Sequence, residues 1–179
     1  MKTWKQFLLE NTHSYSSTQV NLPQKISNDI NKWAKDFIKE EDLYFEKGED
    51  YGRETETHVT ILYGLNTNDI KDIKKVLKDE KLKPVTLELK ETSIFECEKF
   101  DVVKFTVKSE DLVKLNKIIS KCDHDKLHSE YNPHCTLAYV KKGTGKKYSG
   151  NKRFNNTKVT IDNFLFSNKN RVKTKINLS

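Results

Sequence analysis

The sequence predicts an α+β fold of two pseudosymmetric lobes, each a mainly antiparallel sheet with outer helices, around a central cleft. The main observation is a repeated segment, because residues 57–64 read THVTILYG and residues 133–140 read PHCTLAYV. Each copy opens a short apolar, β-prone run and places a Tyr five residues after the His. In both halves an amphipathic helix and a linker precede the repeated strand. We expect residues 1–179 to form one such domain.

Apolar spacing and turn residues predict the individual elements. Residues 24–38 carry apolar side chains at helical spacing and follow a proline, which suits a helix start. Ser109 is a good N-cap for a later helix. The expected elements are, in chain order, helix 2–9, strand 18–22, helix 24–38, a strand from residue 58, helix 69–80, strands 85–89 and 100–107, helix 109–119, a strand from residue 134, and strands 158–166 and 172–178.

The composition is typical of a soluble globular protein, with 33% charged and 35% hydrophobic residues. No apolar run approaches the roughly 20 residues of a membrane-spanning helix, and the N-terminal stretch lacks the long apolar segment of a signal peptide. Cys97, Cys122 and Cys135 are odd in number and far apart, so we expect free thiols in a reducing cytoplasm. We expect no membrane partner and no obligatory protein partner.

The basic charge predicts a polyanionic partner, since the formal net charge is +7. Between residues 141 and 158 there are seven basic residues, three glycines and no acid. This segment is either a mobile lid that closes over phosphates, with Tyr148 or Phe154 stacking on a base, or a solvated connection.

The two repeats are the candidate catalytic site. Side chains alternate along a strand, so His58 and Thr60 share one face, as do His134 and Thr136. If the two strands lie side by side, two imidazoles and two hydroxyls converge. The same alternation points Cys135 away from them, which argues against a cysteine nucleophile. It also places Tyr63 and Tyr139 on the opposite, core face.

This set of groups suits cleavage of a phosphodiester bond. One histidine can take a proton from the nucleophile while the other protonates the departing oxygen, because imidazole titrates near neutral pH. The threonine hydroxyls can bind the phosphate oxygens on which charge develops. This chemistry requires no metal and no cofactor. The alternative for each motif alone is a strand histidine paired with a neighbour and a threonine selected for β propensity.

A second group of ligand-type residues lies at residues 122–128, where Cys122, His124 and His128 occur together. A thiol and two imidazoles at this spacing could suggest zinc. The second cysteine pair of a structural site is missing, and a hydrolytic site usually brings a helical carboxylate. We therefore expect a polar helix end and turn here, with both histidines solvated.

The doubled His-x-Thr resembles the 2H phosphoesterase superfamily, which includes 2′-5′ RNA ligase-like proteins and 2′,3′-cyclic phosphodiesterases. Flanking segments are similar to the phage-encoded anti-CBASS branch, whose members degrade the cyclic oligonucleotide signals of bacterial defence. The segments are residues 19–23 (QVNLP), 42–44 (DLY), 51–56 (YGRETE) and 58–65 (HVTILYGL). The resemblance implies the bilobal fold, an evasion of host defence, and a place in the host cytoplasm if the protein is phage-encoded.

Further substrate contacts are expected around the histidines. By resemblance to the anti-CBASS branch, Tyr15 and Phe95 are candidates to pack on a nucleobase, although each could equally be a core residue. Arg53 is a candidate phosphate contact, with a solvated loop arginine as the alternative.

Three functions follow from these observations. The first is a metal-independent phosphodiesterase that opens 3′-5′ bonds in cyclic di- or trinucleotides. The second is a 2′,3′-cyclic phosphodiesterase or RNA ligase-like enzyme acting on RNA ends. The third is a non-catalytic module that binds nucleotides or RNA, and the presence of both His-x-Thr pairs argues against it.

Overall fold

The computed structural model describes residues 15–49, 51–127 and 129–178. These ranges contain strands β1 to β8 and helices α1 to α3. In chain order they are β1 (Ser16–Asn21), α1 (Gln24–Phe37), β2 (His58–Leu65), α2 (Ile70–Leu77), β3 (Val85–Glu96), β4 (Phe100–Lys108), α3 (Glu110–Ile119), β5 (His134–Lys141), β6 (Thr157–Ile161), β7 (Asn163–Ser167) and β8 (Lys173–Asn177), with short 3₁₀ helices at Glu40–Asp42 and Gly145–Tyr148.

The strands form one antiparallel sheet in the order β6-β3-β4-β5-β2-β1-β7-β8. Its two halves, β6-β3-β4-β5 and β2-β1-β7-β8, meet between the repeated strands, where Val59 pairs with Cys135. The predicted α+β class with antiparallel halves is confirmed. The prediction of two separate sheets is corrected, because they are the two halves of one continuous eight-stranded sheet.

The internal repeat is visible in the connections. In one half α1 joins the antiparallel neighbours β1 and β2, and in the other α3 joins β4 and β5. Ser109 caps α3 as expected, since its hydroxyl accepts a hydrogen bond from the Leu112 amide at 3.1 Å. The predicted helix 2–9 lies outside the described residues.

One predicted strand is wrong, because residues 158–166 form two strands. β6 pairs with β3 at one end of the sheet, and β7 pairs with β1 in the other half. Only Asp162 separates them, so the sheet must curl until its ends approach each other. The β-prone run gave no sign of this change of partner, because pairing depends on contacts distant in sequence.

The helices cover one face of the sheet. Trp33 of α1 stacks on Phe105 of β4 with ring centroids 5.7 Å apart, and Val59, Ile61, Cys135 and Leu137 of the repeated strands are buried beneath the helices. The opposite face carries the histidines. No helix in the described part of the chain is long and apolar enough to cross a membrane.

Candidate active site

The four residues of the two motifs lie on the helix-free face, at the junction between the two halves of the sheet. The Val59–Cys135 pair fixes the antiparallel register, so His58 lies opposite Thr136, and Thr60 lies opposite His134. All four side chains are half-buried, whereas Val59 and Cys135 are fully buried on the other face. The structure thus brings together the four residues that the sequence singles out.

Each imidazole is oriented by the backbone that precedes its strand. Nδ1 of His58 donates to the Glu56 carbonyl at 2.6 Å, and Nδ1 of His134 donates to the Asn132 carbonyl at 2.8 Å. A carbonyl can only accept, so Nδ1 carries the hydrogen in both rings. Nε2 is then the nitrogen that can exchange a proton with a ligand.

A β-bulge follows each motif at the same position. In β2 the extra residue is Ile61, and in β5 it is Leu137, each three residues after the histidine. Both bulges are held by hydrogen bonds to their carbonyls: the Asn116 side chain donates to Ile61 at 2.7 Å, and the Glu54 amide donates to Leu137 at 2.9 Å. The repeat therefore extends to an irregularity of the backbone.

The bulges correct the prediction for Tyr63 and Tyr139. Directly paired residues point to the same side of a sheet, and the residues paired with Thr136 and Tyr139 are Lys104 and Val102, two positions apart on β4. Tyr139 therefore shares the face of the histidines. Tyr63 does so too, through the corresponding pairs on β1. An uninterrupted alternation would have placed both in the core.

The half of the cleft that contains His134, formed by β6-β3-β4-β5, combines an aromatic ring with a buried cation. Phe95 meets the His134 ring edge-on with centroids 4.9 Å apart, and Lys104 Nζ lies 4.2 Å from the centroid of the same phenyl ring. Nζ also donates to the Ser93 hydroxyl at 2.8 Å. Burial lowers the pKa of Lys104 to about 8. Phe95 is thus adjacent to the site, and its contact with a base remains a prediction.

The half of the cleft that contains His58, formed by β2-β1-β7-β8, carries a hydrogen-bond network of side-chain amides and one carboxylate. Gln19 donates to Asn21 at 2.7 Å, and Asn21 donates to Glu56 at 2.8 Å. Burial raises the pKa of Glu56, but hydrogen bonds from Lys173 and Asn21 outweigh it, so the pKa lies below its ordinary value. Gln19 and Asn21 pair with Thr60 and His58, so this network flanks the first motif.

Tyr15 lies beside the half of the cleft that contains His58. Its ring packs edge-on against Tyr63 with centroids 5.7 Å apart, and its hydroxyl donates to Asp125 at 2.5 Å. Because Tyr63 is on the face of the histidines, Tyr15 is close to that face as well. Its contact with a nucleobase remains a prediction.

Arg53 does not take the phosphate-binding role expected of it. Its guanidinium donates to the Ala34 and Ile38 carbonyls at 2.9 and 2.5 Å, and it pairs with Glu40 at 3.1 Å. The arginine therefore binds carbonyls at the C-terminal end of α1, and it shares the Ala34 carbonyl with the backbone amide of Ile38.

The basic segment 141–158 is not a lid. Asp101, itself buried, accepts hydrogen bonds from the Gly143 and Gly145 amides at 2.8 and 3.1 Å. Thr92 of β3 holds the next turn, donating to the Tyr148 carbonyl at 2.6 Å and accepting from the Asn151 amide at 2.8 Å. These bonds fix the segment against the sheet.

The stacking roles expected of Tyr148 and Phe154 are also wrong. Tyr148 is 4% exposed, and its hydroxyl donates to Asp42. Phe154 is 9% exposed and packs edge-on against Trp33 at 5.3 Å. Both rings belong to the core under α1, on the face opposite the histidines.

Two of the three residues considered for zinc bind backbone carbonyls. Cys122 is buried and donates to the Asp72 carbonyl at 3.6 Å, while Nδ1 of His124 donates to the Cys122 carbonyl at 2.9 Å. His128 lies outside the described residues. Among those that are described, no group of three or more His, Cys, Asp or Glu could hold a metal ion.

Sequence reasoning missed Lys104 and Gln19, the strand neighbours of the two threonines. Lys104 interrupts the apolar run of residues 102–107 (VVKFTV), and a lone cation inside a strand of a core sheet is an available signal. Gln19 carried no comparable signal, because a glutamine in an alternating strand is ordinary.

A curled antiparallel sheet with two His-x-Thr strands side by side defines the 2H phosphoesterase class. The sequence matches the model of the 2′-5′ RNA ligase superfamily over residues 22–160, and the chain belongs to that family. Membership implies phosphodiesterase-type hydrolase activity. A search among curated proteins gives no significant match.

Solved structures share this fold at low sequence identity. TT0787 of Thermus thermophilus is 14% identical with a TM-score of 0.62, over 92% of this chain and 97% of that one. Escherichia coli LigT complexed with phosphate is 13% identical with a TM-score of 0.62, over 93% and 95%. Kluyveromyces marxianus Usb1 with uridine monophosphate is 10% identical with a TM-score of 0.55, over 93% and 99%.

Proposed function

We propose that the protein is a metal-independent phosphodiesterase that opens the 3′-5′ bonds of cyclic di- or trinucleotides and thereby counters bacterial antiphage (CBASS) signalling. One observation carries the chemical part of the proposal. His58 and His134 lie on one face, each with Nδ1 on a carbonyl two residues upstream. Two imidazoles on neighbouring strands, each with Nδ1 on a carbonyl and Nε2 available, are suited to give and take protons at a single phosphorus atom.

The reaction uses the 2′-hydroxyl next to the scissile bond as nucleophile. Nε2 of one histidine, which starts neutral, takes the hydroxyl proton as the 2′-oxygen bonds to phosphorus. The other histidine starts as the imidazolium, with a hydrogen on both nitrogens, and its Nε2 donates a proton to the departing 5′-oxygen as the P–O bond breaks. The product is a 2′,3′-cyclic phosphate and a free 5′-hydroxyl. Thr60 and Thr136 donate hydrogen bonds to the phosphate oxygens as charge develops on them.

The assignment of a cyclic oligonucleotide rests on the resemblance of residues 19–23, 42–44 and 51–65 to the anti-CBASS branch. Two observations support it. Both halves present aromatic rings on the face of the histidines, and the whole chain has a net charge of +7. The match to the 2′-5′ RNA ligase superfamily favours the second candidate, an enzyme that acts on the 2′,3′-cyclic phosphates of RNA ends.

A direct comparison of substrates tests the proposal. The protein is incubated in EDTA with cyclic di- and trinucleotides and, separately, with an RNA ending in a 2′,3′-cyclic phosphate, and the products are separated by chromatography. We expect linear products from the cyclic nucleotides. Turnover of the RNA end alone would establish the second candidate, and binding without turnover of either would leave a non-catalytic module. Loss of activity in EDTA with rescue by zinc would contradict the metal-independent mechanism.

A further inference from the structure

Lys104 is a basic side chain next to the second motif in the sheet. It lies on β4 directly opposite Thr136 and on the same face, where paired side chains are about 5 Å apart at Cβ. Its ammonium group lies beside the Phe95 ring, which in turn contacts His134. Lys104 is therefore in the wall of the cleft.

The environment of this lysine is unusual for a cation. Lys104 is only 6% exposed, and among the residues that the structure describes no carboxylate lies within ion-pair distance of it. An ammonium group carries three hydrogens: the Ser93 hydroxyl accepts one, and the face of Phe95 attracts another. One N–H is left for a ligand oxygen. A buried cation without an acid is costly, and an anion in the cleft would remove that cost.

The other half of the site has no such group at the matching position. The residue opposite Thr60 is Gln19, as the residue opposite Thr136 is Lys104. Gln19 donates a hydrogen bond to Asn21, and Asn21 donates one to the carboxylate of Glu56. Among the described residues, the cleft thus has an unpaired cation beside Thr136, whereas the carboxylate near His58 is already paired with the ammonium group of Lys173.

We propose that Lys104 is a phosphate-binding residue that, together with Thr136, binds the anionic oxygens of the phosphodiester. The inference rests on the proposed phosphodiesterase activity but not on the identity of the nucleotide. It also makes the two halves inequivalent, because the charged oxygens of the ligand are drawn to the half that contains His134. The lowered pKa of Lys104, about 8, is consistent with this role, since most of the group is still a cation at pH 7.

Binding of inorganic phosphate provides a test that needs no turnover. Dissociation constants are measured by isothermal titration calorimetry for the wild type, Lys104→Met and Lys104→Gln, with Lys158→Met as the matched control. Lys158 is an exposed lysine on the edge strand β6, so its replacement removes the same charge outside the cleft. We expect at least a tenfold weaker phosphate affinity for both Lys104 variants and a change within twofold for the control.

A second measurement uses the wild-type chain. In protein labelled with ¹³C-lysine, phosphate should shift the Cε resonance of Lys104 and leave that of Lys158 in place. Equal phosphate affinity in a folded Lys104 variant, or an unmoved Cε resonance at saturating phosphate, would overturn the proposal. Failure of the proposed function is recognised separately: cyclic nucleotides would then stay uncleaved, while the loss of phosphate affinity in the Lys104 variants would persist.

Discussion

At the scale of single residues, the histidines offer the sharpest test because the chain provides a matched control. His58→Asn and His134→Asn each keep an amide that can donate to the upstream carbonyl but lose the proton-transferring Nε2. We expect turnover of a cyclic dinucleotide to fall at least about 10²-fold while binding persists. Initial rates and calorimetric affinities measure the two effects.

The control is His124→Asn, since His124 also donates from Nδ1 to a carbonyl two residues upstream, that of Cys122, but lies outside the two motif strands. Its turnover should stay within about threefold of wild type, because the half-buried His124 belongs to neither motif strand and asparagine keeps a donor for the Cys122 carbonyl. A similar fall in all three variants would mean that folding, and not proton transfer, explains the loss.

A second residue-scale prediction concerns Cys135, which lies between His134 and Thr136. Burial raises the pKa of its thiol to about 12. A raised thiol pKa means that the neutral, unreactive form dominates at pH 8, since only the thiolate is nucleophilic. We expect iodoacetamide at pH 8 to leave Cys135 unmodified in the native protein and to alkylate it in guanidinium chloride, as read by mass spectrometry. Rapid alkylation of native Cys135 with loss of activity would reinstate a cysteine nucleophile.

The residues of the motifs were predictable because their signal is local. A His-x-Thr within a β-prone run places both side chains on one face wherever the strand lies. Arg53 differs, since its partners are the carbonyls of residues 34 and 38, which only tertiary packing brings to it. The prediction that Tyr148 and Phe154 stack on a base was wrong for the same reason, because their burial under α1 depends on contacts distant in sequence.

At the scale of elements, the two bulges decide what lines the cleft. Ile61 and Leu137 each add one residue to a strand, so Tyr63 and Tyr139 turn toward the histidines. Apolar residues at both positions look like ordinary members of an alternating strand. The stabilising groups are the Asn116 side chain and the Glu54 amide, which come from a helix and a loop elsewhere in the chain. The sequence alone could therefore not reveal the reversal.

The end of α1 gives an element-scale prediction. Arg53→Met removes the donors to the Ala34 and Ile38 carbonyls and leaves them without a charged partner. We expect a loss of about 1.5–3 kcal/mol in the free energy of unfolding, the usual range for a hydrogen bond to a charged group, with turnover within about threefold of wild type. Urea unfolding and initial rates measure the two quantities.

Arg153→Met is the matched control for this helix-capping role. Arg153 lies in the segment after the second 3₁₀ helix and is exposed, so we expect a change below about 0.5 kcal/mol. If Arg53→Met kept its stability but bound substrate more weakly, the phosphate contact predicted for Arg53 from the sequence would be supported instead.

At the scale of the whole molecule, the candidate active site lies at the junction of two similar halves. Each half supplies a strand with a histidine, a threonine and a bulge, and the halves meet at the single registered pair Val59–Cys135. This much of the architecture follows from the repeat in the sequence. The curl of the sheet does not, because it requires β6 and β7 to choose partners in different halves. The position of Lys104 beside Thr136 likewise emerged only from the strand register.

The placement of one histidine in each half predicts how the bond breaks. Groups on the two sides of the junction can serve the attacking and departing oxygens of one phosphorus atom, which suits attack by the substrate's own 2′-hydroxyl. We expect a cyclic dinucleotide whose 2′-hydroxyls are replaced by hydrogen or fluorine to be cleaved at least about 10²-fold more slowly than the native compound, because the general base then has no hydroxyl proton to remove. Competition against the native substrate should show that the analogue still binds, so the loss lies in turnover. Equal rates for the analogue and the native compound would identify water as the attacking group, with the two histidines activating it and protonating the leaving oxygen.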